Sequence, residues 1–490
     1  MESGRRLPFL IIALAALLVG ACGRAPLVPD VPHGPAIWEL HSVHACSTQT
    51  TDPSGVQISY QFDWGDGRQS AWSDLMNGGV AFADTHSYDS LGSFQIRSRA
   101  KNSQKASGWS APLKVSVTAE GAVAWQTGFV DPQSGDSADF TSNTLALGSD
   151  GTAYLTCNAP GALVARKPSG AIAWAFTSPD YADFWAAPTL TTDGTILAGC
   201  ADEFIYAFNP NGTVKWRDSV GIVNATGALA ADGTAYFQTD DSMVVALNSS
   251  TGVRLWTFAD GGGNAALAVG TDGTVYAVNS DGTVFALDPT DGHQKWTAGL
   301  GAQSVEPVAI DAGRNVMYAV SIEGTLQSID LTNGTGGWSS AIGADASGPV
   351  VGPDGSVYIG GGGVLSKLGT DGILVWTFSP VMRGTVSTPA VTADGYVYVL
   401  VAAEKKGIAA QDVDSLYAVN PDGSYHWACG LGTGSPQASE YALSAPKLDA
   451  DGNIYVGDGF AVWCVTGKYA PAQSVWPMYQ HDATNTGRAQ

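Results

Sequence analysis

Apolar and polar positions along the chain fall into three regimes. Leu7 to Val19 is an unbroken apolar run behind Arg5 and Arg6, and Gly20 and Ala21 lead from it into Cys22. That is the charged, apolar and small-residue order of an export signal, and it is shorter than the roughly 20 residues a membrane-spanning helix needs. Further on, Tyr60-Gln61-Phe62-Asp63-Trp64, Ser93 to Ser98 and Leu113 to Val117 alternate as half-buried strands do, with polar turns between them. Beyond residue 118 the alternation becomes periodic. Its most regular copy is Asp272-Gly273-Thr274-Val275-Tyr276, then Asp281-Gly282 with Thr283 to Asp288, then Gly292 and Trp296.

The Asp-Gly turn recurs at Asp150, Asp193, Asp232, Asp272, Asp354, Asp394 and Asp451, with a degenerate copy ending at Tyr318. Closing tryptophans stand at Trp174, Trp216, Trp256, Trp296, Trp338, Trp376 and Trp427. A spacing of mostly about 40 residues is the period of a four-stranded propeller blade. The turns count one more than the tryptophans, and Trp125, in Ala122-Val123-Ala124-Trp125, lies before the first turn. The pattern therefore predicts an all-β chain, with a sandwich over 35–118 and an eight-bladed β-propeller over 119–470. A strand around Trp125 would close it by pairing with the last blade near Tyr455 to Cys464, which removes exposed strand edge. The eight tryptophans, Trp125 included, are expected to dock between blades. Pro188, Pro307, Pro349, Pro389 and Pro446 are expected to start innermost strands, where a missing N–H costs least.

Composition narrows the function classes. Lys and Arg number 23 against 45 Asp and Glu, a net charge of −22, yet charged residues are only 14% of the chain. A chain so acidic, with no basic cluster, is a poor partner for nucleic acid, whose binding draws on Lys and Arg at phosphates. Five cysteines besides Cys22 are scattered at 46, 157, 200, 429 and 464. An odd, unclustered set implies no disulfide framework, and Cys157 and Cys200 read as small buried hydrophobes. His41, His44 and Cys46 do not converge as metal ligands, since strand side chains alternate faces. Asp63 and Asp66 offer too few oxygens for calcium. No metal or cofactor is expected.

Several stretches resemble known families. Leu18-Val19-Gly20-Ala21-Cys22 resembles a bacterial lipobox, which implies a signal peptide over 1–21, lipidation at Cys22 and a bacterial extracytoplasmic protein attached to the outer membrane or cell surface. The Pro-rich segment 22–34 then reads as a semi-rigid tether. Phe62-Asp63-Trp64-Gly65-Asp66-Gly67, with His86-Ser87-Tyr88, Gly92 and Arg99 to Asn102, resembles the PKD domain, an immunoglobulin-like sandwich that implies spacing or adhesion. Ala286-Leu287-Asp288, Gly292 and Trp296 resemble the tryptophan-docking motif of PQQ-like propellers, shared by quinoprotein dehydrogenases and the outer-membrane barrel-assembly lipoprotein. The tail Trp476-Pro477-Met478-Tyr479-Gln480-His481-Asp482 through Arg488 resembles a recurrent segment of that family, and 471–490 reads as a structural strap.

Dehydrogenases of the quinoprotein family use a quinone, a calcium ion and often a disulfide between adjacent cysteines. This chain has no adjacent cysteine pair, and its innermost strands read as small and apolar. No Gly-x-Ser-x-Gly elbow is present either. A non-enzymatic, monomeric binding scaffold for protein or carbohydrate is the expectation. Barrel assembly is the alternative, and PQQ-dependent dehydrogenation is the reading the residues disfavour. Connections between blades and second-to-third-strand loops emerge on one face, and the long ones are 128–140, 177–187, 402–415 and 430–442. They carry the candidate binding residues Phe129, Asp139, Phe140, Tyr181, Asp183, Phe184, Trp185, Glu440 and Tyr441, because loops on a rigid scaffold commonly carry recognition.

Overall fold

The computed structural model describes residues 24–130, 144–158, 161–259, 263–381, 384–403, 414–431, 444–458, 461–472, 476–482 and 484–489. No α-helix occurs among them, and two compact units are built from strands and short turns. Cys22, the apolar run before it, and Asp139, Phe140, Glu440 and Tyr441 lie outside the described residues.

The smaller unit comprises 43–87 and 94–115 together with the residues before Pro35. His44–Thr48 pairs antiparallel with Phe82–His86, and Ser59–Asp63 with the long strand Gly92–Lys101. Ile58, Tyr60, Phe62, Trp64, Ile96 and Ala100 are buried, which follows from the alternation of the sequence. Asp66 receives Arg68 and the His86 ring at 2.9 Å, and that ring stacks on Trp64, so the Asp-Gly turn is tied to the core. The segment expected as a tether is docked here instead. Leu27, Asp30 and His33 donate their N–H groups to Thr51, Gln49 and Ser47 at 3.0, 3.1 and 2.8 Å. Pro26, Pro29 and Pro32 are buried. Proline lacks a donor but packs well at a strand edge, so a Pro-rich run served here as an edge segment.

Among its described residues the larger unit holds eight sheets in succession, seven formed by consecutive strands. In the most regular, Ala268–Val269, Val275–Val278, Thr283–Leu287 and Gln294–Gly299 pair antiparallel in chain order. The first three are almost wholly buried and the fourth alternates exposed and half-buried positions. At the turn, Asp272 accepts from the Thr274 N–H at 2.9 Å and its hydroxyl at 2.7 Å, while Gly273 takes φ 84°. The left-handed position is what makes Gly necessary there. In the degenerate copy Asp311 caps a short 3-10 turn, Ala312–Arg314, and Asn315 supplies the positive φ. The seventh sheet gains an extra strand, Gly384–Val386.

The last sheet is Lys447–Leu448, Ile454–Asp458, Ala461–Val465 and the early strand Val123–Gly128, in which Trp125 stands opposite Cys464. Seven of the eight tryptophans donate to a backbone carbonyl of the next sheet's corner in the same way. The indole N–H of Trp125 donates to Pro168 O at 2.7 Å, Trp174 to Pro210 at 2.8 Å, Trp216 to Ser249 at 3.0 Å and Trp256 to Pro289 at 2.8 Å. Trp296, Trp338 and Trp376 donate to Leu331, Thr370 and Pro421. Trp427 differs, because the corner it meets joins two chain segments distant in sequence. It donates to the Glu120 carboxylate at 3.1 Å, with His426 on the same oxygen at 3.3 Å.

The described residues of the tail, 471–472, 476–482 and 484–489, run along the inner edges of these sheets. Val351, Val391, Leu190, Leu229 and Val269 donate their N–H groups to the carbonyls of Trp476, Pro477, Thr484, Thr486 and Gly487 at 2.7 to 2.9 Å. Asn485 donates to Leu145 and Pro188 carbonyls. The segment thus satisfies donors that a short innermost strand leaves unpaired. Trp476 at 1% exposure is among the largest fully buried side chains, and lies in the core with Val308, Ile310 and Val351. Lys447 is fully buried, and its ammonium donates to the carbonyls of Tyr479 and Asp482. Burial pushes that ammonium down to about 7, partly offset by the Asp482 carboxylate.

Candidate functional site: an axial funnel

A cavity of about 380 Å³ opens where the approaches to the innermost strands converge. Thr144, Ala186, Thr226, Ala266, Pro307, Ser347, Thr388 and Ala445 line it, one from each sheet, each two or three residues before its innermost strand. Val320, Ser321 and Ile322, from a second-to-third-strand loop, join them. The cavity is therefore on the face from which the blade-to-blade connections emerge, with 177–187 among them.

That connection shows how the local sequence aims its side chains. Ser178 N–H donates to Gly161 O at 2.8 Å and Ala201 N–H to Asp183 O at 2.8 Å, pinning both ends. Asp180 and Tyr181 both take positive φ, 56° and 58°, turning the chain sharply. Phe184 is then fully buried against Tyr206 at 6.1 Å, and its neighbour Trp185 is consequently turned outward, 39% exposed, onto the funnel. Two of the candidate binding aromatics are corrected by this. Phe184 and Phe129, the latter packed with Leu145, Leu155 and Val462, are core residues with no surface to offer. Aromatics in a long connection were expected to be exposed, but a connection crossing a sheet's end needs its own apolar anchor. Tyr181 is 45% exposed and Asp183 half-buried; neither lines the funnel.

The funnel's chemistry is graded. Trp185, Val305 and Ile322 are exposed apolar side chains among its lining, Val305 and Ile322 at 50% each. Thr226, Ser347, Ser387, Thr388, Asn224 and Asn264 add neutral polar groups. Among the described residues two carboxylates, Glu306 and Asp345, line it, and no Lys, Arg or His does. Glu306 keeps partial exposure because it faces the cavity. Burial nonetheless pushes its carboxyl up to about 7, with only the Gly348 N–H favouring the ionised form. The Tyr479 hydroxyl, brought in by the tail, meets Thr226 at 3.0 Å and is pushed up to about 12 by burial.

Sequence reasoning missed Glu306, although a signal was available. Aligned on the proline that precedes an innermost strand, its counterparts are Ala187, Gly348, Thr388 and Ala445, so Glu306 is the one ionisable residue in the set. The quinone implied by the PQQ-like resemblance does not fit this lining. Among the described lining residues an anionic quinone would meet two carboxylates and no cation, and burying it unpaired is costly. Elsewhere, Asp288, Asp291 and His293 gather on the surface, His293 at 2.7 Å from Asp291, as an ordinary turn cluster.

The family model described as outer membrane protein assembly factor BamB matches residues 114–259, 257–342 and 322–468. Among solved structures, the chain is similar to BamB from Moraxella catarrhalis, at 15% identity and a TM-score of 0.54 over 70% of this chain and 98% of that one. The C-terminal WD40 domain of Sif2 shows 12% identity and a TM-score of 0.54, covering 70% and 98%. The computationally designed Ika8 protein shows 12% identity and 0.53, covering 71% and 99%. These likenesses establish the β-propeller fold. No curated protein matches the chain significantly.

Proposed function

The chain belongs to the outer membrane protein assembly factor BamB family, and from that premise we propose that it is a non-catalytic scaffold of the bacterial envelope, anchored by lipid at Cys22. Its eight-bladed propeller binds a protein partner on the funnel face, and the PKD-like module acts as a spacer. The observation that carries this reading is the family match across the whole propeller, joined to a cavity into which all eight sheets send a residue. A rigid scaffold with exposed Trp185, Val305 and Ile322 around a polar depression has the composition of a recognition surface, apolar anchors amid polar groups. Among the described residues the lining offers no nucleophile–base pair and no cationic clamp, which favours binding over chemistry.

The test is affinity capture from detergent-solubilised envelopes with wild-type protein, with 177–187 replaced by a short Gly/Ser turn, and with Trp185→Ala. Capture of an outer-membrane assembly component that both changes weaken at least tenfold supports the reading. Equal recovery by all three removes the funnel face from it. A second reading, a surface adhesin that binds glycan, rests on the PKD-like module and predicts retention on immobilised glycan instead. Lipid attachment is tested by labelling with a tagged fatty acid, which Cys22→Ser abolishes.

A further inference from the structure

A buried carboxylate with no cation beside it among the described residues, in a cavity that also presents exposed apolar side chains, is an expensive arrangement unless something complements it. Glu306 is such a group. Among the described residues the one interaction favouring its charge is the Gly348 N–H. Asp345, which is exposed, adds a second negative group to the same lining, and among the described lining residues no basic side chain answers either. Trp185, Val305 and Ile322 present exposed apolar surface to the same cavity.

Exposed apolar surface beside a buried carboxylate is the complement of a long basic side chain, which carries its cation on an aliphatic stem. We propose that the funnel receives one lysine or arginine side chain of a protein partner, its stem against Trp185 and Ile322 and its cationic head at Glu306. The inference rests on the partner-binding reading above and deepens it by naming the chemistry of the contact. Three alternatives fit less well. An anion would face two carboxylates. A purely apolar plug would bury Glu306 without a partner. A neutral sugar would use the Asn and Thr groups but gain nothing from an isolated carboxylate. The indole face of Trp185 adds cation–π attraction during entry, and the net charge of −22 favours the approach of a basic segment.

The geometry has a pH consequence. The unliganded carboxyl, raised to about 7 by burial, is largely protonated in mild acid, and a cation binds the ionised form. Affinity therefore rises as pH increases through 7. The other titratable groups lining the funnel are Asp345 and Tyr479, and Tyr479 stays neutral over this range.

The experiment uses the full folded chain and the peptide acetyl-Gly-Ser-Lys-Ser-Gly-amide, followed by ligand-observed NMR, with the norleucine peptide as the uncharged isostere. The lysine peptide should bind in the millimolar range, at least tenfold more tightly than the norleucine peptide. Its affinity should fall about tenfold from pH 8 to pH 5.5. Glu306→Gln should lose about tenfold at pH 8 and show no pH dependence across that interval. Equal binding of the two peptides to wild-type protein, which needs no variant to fold, overturns the proposal. So does an unchanged Glu306→Gln, or N-acetylglucosamine binding more tightly than the lysine peptide. Lysine binding without capture of any envelope partner would remove the scaffold reading and leave the funnel assignment standing. Capture that Glu306→Gln leaves intact would do the reverse.

Discussion

Replacing Trp125 by alanine tests the join between the first and last strands of the larger unit. Its indole N–H donates to Pro168 O at 2.7 Å, its ring covers Gly170, and it meets Tyr455 edge-on at 5.9 Å between centroids. The residue is half-buried. About 100 Å² of apolar surface returned to water costs about 2.5 kcal/mol, and the lost hydrogen bond is worth about 1 kcal/mol less whatever water recovers at the half-exposed carbonyl. The sum is about 3 kcal/mol, at the lower end for Trp→Ala because burial is incomplete. At about 2.1 cal/mol/K per residue over roughly 350 residues, the thermal midpoint should drop about 4 °C. Trp296 makes matching contacts, with Leu331 O at 3.0 Å and Tyr276 at 5.7 Å, but between sheets that the chain joins directly. Trp296→Ala should thus cost a similar amount, while only Trp125→Ala should speed hydrogen exchange in both 123–128 and 461–465. A midpoint within 1 °C of wild type, with unchanged exchange in those two strands, would refute the closure argument.

Other changes probe the same principles. Gly334 has φ 73° and a Cβ there would lie 2.6 Å from the Trp296 ring, whereas Gly301 has φ 79° and nothing within 4 Å. Gly301→Ala should cost about 1 kcal/mol for the left-handed backbone alone, and Gly334→Ala measurably more in urea unfolding; equal costs would mean the ring does not hold its place. Trp476→Ala should cost about 3–5 kcal/mol, given its 1% exposure; a loss under 1 kcal/mol would show that the tail is dispensable for stability. Glu306 has a folded pKa raised from 4.5 to about 7, so its contribution is fully present below about pH 4.5 and is lost as pH rises through 7. At 1.36 kcal/mol per unit the limit is about 3 kcal/mol, reduced to about 1–2 by the opening to the funnel. Glu306→Gln should therefore stabilise the protein by that amount at pH 8 and hardly at pH 4.5, and an equal effect at both would contradict the burial argument.

The repeat was legible because its signals are backbone requirements. An Asp that accepts from the residue two ahead, followed by a Gly at positive φ, leaves a written trace at Asp150, Asp193, Asp232, Asp272 and Asp354, and an indole lying on a glycine of the next sheet does so at all eight tryptophans. Where side-chain direction mattered instead, composition misled. Pro26, Pro29 and Pro32 have the look of a linker, yet each is buried while the residues between them stay mostly exposed. Phe184 and Trp185 are chemically alike and adjacent, and only the packing of Tyr206 and the pinned ends of the connection decide that one enters the core and the other the funnel. Glu306 was hidden by a different cause. A single departure within a repeat carries no periodicity, so it stands out only after the copies are superposed on their prolines.

The tail explains why that departure can be tolerated. Short innermost strands leave main-chain donors pointing inward, and the tail carbonyls at 476, 477, 484, 486 and 487 take up those of Val351, Val391, Leu190, Leu229 and Val269. Because the tail's own carbonyls do this work, the axis need not be filled with apolar side chains on every level, and a polar cavity can exist above it. Tyr479 marks the boundary: its carbonyl accepts from buried Lys447 while its hydroxyl lines the funnel beside Thr226. The Lys447 ammonium is thus engaged by tail carbonyls and Asp482, and among the described residues no cation lines the cavity beside Glu306. The uncompensated charge follows from how the centre is filled, and it leaves the funnel with a preference for positive charge built into the packing.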